Sequence, residues 1–344
     1  MTAGTGFLAL SPERRALAFE QAATERGVHP VVIEKDFWVC WLLSLLFSRS
    51  ELGPQLVFKG GTSLSKVFGV VERFSEDIDL SVDLEFVGFD PETFATLTSR
   101  TKRDAAVAEM QRLCARKTDE MIMPVMEAAI REELGGTANG ANWLHYELEE
   151  TSGSPTLSFR YPTTRPNPLG YVRQEVKLEM GSLTDQRPIG RYPVRPWIAE
   201  NFPALFVEWR CDVTALELGR TFWEKATILH SEYFRPVEQP TPPRYSRHYS
   251  DMACLLGHRD ATTFIEDKDG CARVAEWKAR TFPRAWAKYD LARHGTFHLL
   301  PAESRRADVA ADYAAMRPMF LIEPEPFEKM MERLAVAEKR INSL

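Results

Sequence analysis

The stretch Lys59-Gly60-Gly61-Thr62-Ser63-Leu64-Ser65-Lys66, followed by Arg73-Phe74-Ser75-Glu76-Asp77-Ile78-Asp79-Leu80-Ser81, decides how this chain is read. Ile78, Leu80 and Val82 alternate with Asp77, Asp79, Ser81 and Asp83, the period of a half-buried strand. Residues two apart on a strand share a face, so Asp77 and Asp79 project together while Ile78 and Leu80 enter a core. Two neighbouring carboxylates repel each other unless a cation lies between them. A divalent ion with oxygen ligands, such as Mg²⁺, is the usual remedy. Upstream, Gly60 and Gly61 allow close approach of backbone to a ligand. The N–H groups of a following helix can hold phosphate oxygens, and Thr62 and Ser63 can add hydroxyls.

A phosphate cradle ahead of an Asp-x-Asp strand is what nucleotidyl transfer needs, because metal ions neutralise a triphosphate and its leaving pyrophosphate. A third carboxylate normally joins from a neighbouring strand. In Val176-Lys177-Leu178-Glu179-Met180, Lys177 and Glu179 alternate with apolar residues and share one face, so Glu179 is the best candidate and Lys177 can contact the triphosphate. Each signal alone is weak. A Gly-Gly pair usually makes a turn, an Asp-x-Asp is usually surface charge, and a Lys-x-Glu is usually a cross-strand ion pair. Their combination, with residues 64–76 separating the first two, selects a catalytic site.

Working outward, Ser11-Pro12-Glu13 predicts a helix start, and the helix should run to Gly27. A second, largely buried helix follows Pro30, with Trp38, Trp41, Leu42, Leu45 and Leu46. A short strand is expected over 55–59 and a short helix over 62–68. Residues 91–134 are helical in character. Strands are expected over 142–149, 156–161 and 171–180, closely spaced and therefore antiparallel. A Pro-containing connection (188–203) leads to a strand over 211–216. Helices are expected over 220–233, 245–257, 270–289, 305–317 and 325–341. The boundary falls near residue 218, giving an α/β nucleotidyltransferase domain over 1–218 with N-terminal helices and a helical domain over 219–344.

With 344 residues, the chain suggests two domains or one large one at ~150 residues per domain. Its 44% hydrophobic and 27% charged residues exclude a collagen, a long coiled coil and a mostly disordered chain. Cys40, Cys114, Cys211, Cys254 and Cys271 are widely spaced without a Cys-x-x-Cys pair, which speaks against a disulfide scaffold or zinc ribbon and for reduced thiols. The seven histidines show no metal spacing. The most apolar run, Phe37 to Phe47, has 11 residues, well short of the about 20 a membrane helix needs. The N-terminus lacks the pattern of a secretory signal, so a cytoplasmic protein without a membrane partner is expected. The net charge of −6 does not advertise a nucleic-acid binder. Yet seven basic residues against three acidic fall within 154–195, a local basic surface in which Arg160, Arg165 and Arg173 are candidate RNA contacts. A solvated mixed-charge face explains that stretch equally well, as does pairing with Glu147, Glu149 and Glu150.

KGGTSLSK with RFSEDIDLS resembles the AbiEii/AbiGii-type nucleotidyltransferase toxins, a branch of the polymerase-β-like superfamily. Ile33-Glu34-Lys35-Asp36-Phe37-Trp38, Arg220-Thr221-Phe222-Trp223-Glu224-Lys225 and Arg247-His248-Tyr249-Ser250-Asp251 agree with it, so the resemblance covers about residues 30–256. It implies an α+β fold, with a polymerase-β-like nucleotidyltransferase core built on a mixed or antiparallel sheet, plus a helical C-terminal lobe. It implies transfer of NMP from an NTP with Mg²⁺ or Mn²⁺. Some relatives add nucleotides to tRNA 3′ ends and block translation, and others are known as abortive-infection toxins that bind GTP. The expected function is that of the toxin of a toxin–antitoxin or abortive-infection system, with tRNA as acceptor and a cognate antitoxin as partner. By position, Gly61, Thr62 and Ser63 resemble the phosphate loop, Asp77 and Asp79 the metal ligands, and Lys177 the basic residue. The remaining acidic position matches Glu179 or Glu224. Gly60, Lys66, Ser75 and Lys225 complete the expected nucleotide contacts, although a structural Glu–Lys helix start explains Glu224 and Lys225 equally well. Arg247 and His248 can hold a phosphate or RNA backbone, or pair structurally with Asp251. Two alternatives keep other classes open: a small-molecule or protein hydroxyl as acceptor, or a non-catalytic nucleotide-binding interaction module.

Overall fold

A computed structural model of the protein describes residues 5–75, 77–137, 139–149, 153–169 and 172–344. Glu76, the pairing partner expected at Glu150, the turn residues Ser152 and Gly170, and the expected strand start at Tyr171 lie outside the described residues. The chain forms two units, one of residues 1–67 and 74–216, the other of 68–73 and 217–344.

The first unit is built on a seven-stranded sheet in the order β3-β4-β5-β2-β1-β7-β6. The strands are β1 (Leu56–Lys59), β2 (Asp77–Val82), β3 (Leu144–Leu148), β4 (Pro155–Phe159), β5 (Val176–Gly181), β6 (Ile189–Pro193) and β7 (Asp212–Leu216). β2 pairs antiparallel with β1 and parallel with β5, β1 pairs parallel with β7, and β3-β4-β5 run antiparallel as their spacing predicts. The sheet is therefore mixed, and the architecture is α+β. One expectation fails: the connection over 188–203 contains β6, which pairs antiparallel with β7 at the edge of the sheet. Gly190 and Pro193 hide it, because both residue types are depleted in strands, and a proline is tolerated there only on an edge.

The helix Pro12–Arg26 starts where Ser11 accepts a hydrogen bond from the Arg14 amide and stops at Gly27, which takes the left-handed conformation at φ 71°. The helix Pro30–Ser48 is buried on all sides from Val31 to Leu46, apolar except for Glu34, Lys35, Asp36 and Ser44. Its Trp38 and Trp41 rings pack 5.8 and 5.6 Å from Phe159 of β4. Phe58, Ile78, Leu80, Leu157, Leu178 and Met180, all fully buried, come from the four adjacent strands β4, β5, β2 and β1 and join the same core. Each such side chain contributes roughly 1.5–3 kcal/mol on burial. Alternation thus gives this sheet one apolar layer under a helix and leaves the other side chains of β2 and β5 facing away from it. The expected short helix begins earlier than its sequence suggests, at Gly60, and ends at Lys66.

The second unit is helical. Its main helices are Leu218–Tyr233, Arg247–Leu256, Lys268–Thr281, Arg306–Ala315 and Phe327–Ser343, close to the expected segments, with a short Ala261–Glu266 helix that the sequence reading lacks. The segment expected to run from 270 to 289 ends at Thr281. Trp223 is fully buried against Phe222 and Phe297 at 5.1 and 5.5 Å between ring centroids. The 68–73 segment belongs to this unit. Glu72 accepts from the Leu321 amide at 3.0 Å, and Arg73 forms a bridge with Phe320. Among the described residues no helix is long and apolar enough to cross a membrane. All five cysteines are free.

Candidate active site

The strand register gathers the polar residues into two rows. Lys59 lies opposite Asp79, Asp79 opposite Glu179, Glu179 opposite Thr156, and Thr156 opposite Glu147, so one row crosses β1, β2, β5, β4 and β3. Two residues along, Asp77, Lys177, Ser158 and His145 form a second row. Because directly paired residues project to the same face, Asp77, Asp79, Lys177 and Glu179 meet on one side of the sheet. Lys177 Nζ lies 3.5 Å from Glu179 Oε1. A cleft of about 300 Å³ opens here, lined by Lys59, Asp79, Thr156, Lys177 and Glu179 together with Glu149 and Ser154.

The glycines place the helix against these acids. Gly60 has φ 80°, and a Cβ there would lie 1.9 Å from Asp79 Oδ2. Only a residue without a side chain lets that carboxylate sit where it does. Thr62 Oγ1 is 2.8 Å from Ser75 Oγ and donates to the Asp77 carbonyl, which fastens the 60–66 helix to the start of β2. Ser63 Oγ donates to the Gly60 carbonyl at 2.9 Å. Both hydroxyl groups are buried, so they brace the loop from inside, whereas the sequence reading gave them to phosphate. No side chain caps the first turn of the helix, whose leading amides are those of Gly60, Gly61 and Thr62.

Burial raises the pKa of Glu179 above the ordinary carboxylate range, and the Asp79 charge raises it further; Lys177 and Lys59 pull it back. A second carboxylate pressed against Asp79 is thus short of positive charge. Among the described residues no three His, Cys, Asp or Glu side chains form a ready-made ion site. The expected trio Asp77, Asp79 and Glu179 is therefore present on one face without being closed into a cage. That donor set still suits Mg²⁺, which is commonly held by one or two carboxylates while substrate phosphates and water supply the rest.

Lys66 stands elsewhere. Its ammonium is 2.5 Å from Asp36 Oδ1, both side chains are buried, and it lies over the Trp197 ring at 4.6 Å. A lysine enclosed in this way is committed to the fold, which corrects its expected role in phosphate binding. Of the arginines, Arg160 and Arg173 are 80% and 79% exposed, within 3.8 and 3.6 Å of Glu175. Arg165 is 17% exposed and bridges Glu20 at 3.1 Å and the Ala16 carbonyl at 2.9 Å, so it ties a loop to the 12–26 helix. None of the three pairs with Glu147 or Glu149 in the contacts described.

In the helical unit, Glu224 sits 2.8 Å from both Arg220 and Lys278. Lys225 lies 2.8 Å from Asp251 and 3.3 Å from His248 Nδ1, and Arg73 grips the same Asp251 with two bonds of 2.6 and 2.8 Å. This buried cluster was only partly legible: the expected Arg247–Asp251 pairing is replaced by Arg73, more than 170 residues away in sequence. Burial alone would raise the pKa of Asp251, but Arg73 and Lys225 hold it well below the usual range. Burial and the neighbouring Lys225 push His248 well down, so it is neutral. Of the two acidic positions left open by the sequence, Glu179 is the one in register with Asp79. The residue the sequence reading overlooked as a site residue is Lys59, which alternates with the buried Phe58 and lies opposite Asp79 on the same face.

The solved structure of MenT4, a nucleotidyltransferase toxin from Mycobacterium tuberculosis H37Rv, is similar at 16% sequence identity and a TM-score of 0.44, covering 95% of this chain and 98% of that one. No curated protein sequence matches. The family model described as nucleotidyl transferase AbiEii toxin, type IV toxin–antitoxin system, matches residues 41–333, most of the chain. The chain belongs to the AbiEii family and is a nucleotidyltransferase toxin of the type IV toxin–antitoxin class.

Proposed function

We propose that the protein transfers a nucleoside monophosphate from an NTP to the 3′ hydroxyl of an RNA, with tRNA as the acceptor, and that it does so in the cytoplasm with Mg²⁺ or Mn²⁺. The observation that carries this reading is the pair of polar rows, which sets Asp77, Asp79 and Glu179 beside Lys177 on one face of the sheet, where Asp79, Lys177 and Glu179 line one cleft. Asp77 and Asp79 would hold the metal ion. Bound there, the ion neutralises phosphate charge and eases the departure of pyrophosphate. Glu179, with its raised pKa, is suited to take the proton of the attacking hydroxyl. The new bond joins that oxygen to the α-phosphorus as the bond to pyrophosphate breaks. Lys177 balances charge beside Glu179. Arg160, just after β4, and Arg173, just before β5, are exposed and suit an RNA backbone. The family implies a cognate antitoxin, whose gene is sought beside this one.

The test incubates the protein with each labelled NTP, Mg²⁺ or Mn²⁺, and total cellular RNA, followed by a denaturing gel. A labelled tRNA band is expected. It should disappear in Asp77→Ala and Asp79→Ala, a loss of several kcal/mol and about a thousandfold in rate, while both variants keep the wild-type melting temperature to within a few degrees. Label that enters only a small molecule or a protein hydroxyl would replace the acceptor. Undiminished transfer by both variants would remove the site.

A further inference from the structure

The three lysines of the sequence motifs, Lys59, Lys66 and Lys177, differ in what holds them. Lys66 is closed off by Asp36. Lys177 has Glu179 at 3.5 Å. Lys59 is half-buried on the lining of the cleft, opposite Asp79; its ammonium acts on the charge of Glu179 from a distance but closes no hydrogen bond or ion pair with a described side chain. An ammonium kept in a cleft with Asp79, Glu179 and Glu149, yet closing a bridge to none of them, is placed for an anion that enters from outside. The carboxylates do not need it once a divalent cation is bound, and the incoming polyanion does.

We propose that Lys59 is a triphosphate-contacting residue of this enzyme, taking the nucleotide-contact role expected of Lys66. The inference rests on the nucleotidyl-transfer reading above. The ligand is the phosphate chain of the NTP; an RNA phosphate has the same chemistry, and the measurement below separates the two.

Binding of the four α,β-methylene nucleoside triphosphates and of the four nucleoside monophosphates is measured by calorimetry with Mg²⁺, for the wild type, Lys59→Met and Lys59→Arg. RNA binding is measured without nucleotide. Losing one charge-assisted contact should weaken triphosphate binding about tenfold, raise the KM for NTP in step, and leave monophosphate and RNA binding within about twofold of wild type. Lys59→Arg should recover most of the loss. Thermal melts check that each variant is folded, and Lys59→Gln substitutes if the methionine variant is not. Wild-type triphosphate affinity in a folded Lys59→Met or Lys59→Gln variant overturns the proposal, as does a loss confined to RNA. If the wild-type protein itself binds none of the triphosphates, the nucleotidyl-transfer reading falls instead.

Discussion

Gly60 shows how much of the site depends on an atom that is not there. Asp79 Oδ2 occupies the space a side chain at 60 would need, and the backbone is in the left-handed region. Gly60→Ala therefore meets a double obstacle. The positive φ alone destabilises by more than about 1 kcal/mol, and the methyl group must displace the carboxylate. A shift of about 1 Å in a reacting group can cost roughly a hundredfold in rate. The variant should melt lower and lose at least that much transfer activity, as read by circular dichroism and the labelled-NTP assay. A folded Gly60→Ala protein with wild-type turnover would show that Asp79 does no chemistry from that position. The glycine pair, the two aspartates and Lys177–Glu179 were legible because each sits in a short alternating stretch. The contact between Gly60 and Asp79 was not, since nothing in a string of letters says that residues 60 and 79 touch.

Among the elements, the Pro30–Ser48 helix is unusual in burying Glu34, Lys35 and Asp36 in succession. Glu34 accepts from the Thr164 amide at 2.7 Å, Lys35 donates to the Arg173 carbonyl at 2.9 Å, and Asp36 takes both Lys66 and the Trp197 amide. One turn of helix thus holds the loop before β5, the helix after β1 and the chain after β6. Burial alone would lower the pKa of Lys66, but Asp36 holds it up, while burial raises Asp36 against the pull of Lys66, so each charge depends on the other. Removing one member of a buried pair costs about 3–5 kcal/mol, whereas replacing both with apolar residues can be nearly neutral. Urea denaturation should show that loss for Asp36→Ala and recover most of it in Asp36→Leu with Lys66→Met; additive losses would mean the pair is not one unit. Sequence periodicity found this helix and β1, β2 and β5, because their apolar positions repeat at the right interval. It missed β6, where Gly190 and Pro193 interrupt the pattern, and it could not find the partner of Lys66, which lies 30 residues upstream. A second element couples to pH. On the 218–233 helix, His230 accepts from the His298 amide and donates to the Lys288 carbonyl, and burial lowers its pKa to about 4. Its folded value lies below its unfolded value of about 6.5, so its neutral form stabilises the fold above that pH, and the contribution is lost as pH falls from there toward 4. The urea midpoint should drop over this window by the equivalent of about 3 kcal/mol, and His230→Gln should flatten the dependence. An unchanged slope in that variant would place the acid sensitivity elsewhere.

For the molecule as a whole, a net charge of −6 and a basic stretch over 154–195 give opposite expectations for RNA. The structure divides that stretch. Arg165 is tied to the 12–26 helix, while Arg160 and Arg173 are exposed. Replacing Arg160 and Arg173 with alanine should weaken tRNA binding and reduce the slope of log affinity against log salt by about one to two; Arg165→Ala should instead lower stability. Equal slopes for wild type and the double variant would assign these arginines to a solvated face and favour a non-RNA acceptor. The division of the chain near residue 218 was readable from a change in pattern, strands before and helices after. The excursion of 68–73 into the helical unit was not, because six residues carry no periodicity. That excursion makes the polypeptide pass between its two units three times, after residues 67, 73 and 216. A gene cut at codon 218 would therefore yield a C-terminal piece without Arg73, leaving Asp251 sealed from water with Lys225 as its remaining cation. A fragment meant to stand for the helical unit must therefore carry residues 68–73 as well as 217–344, which no single cut of the gene can provide.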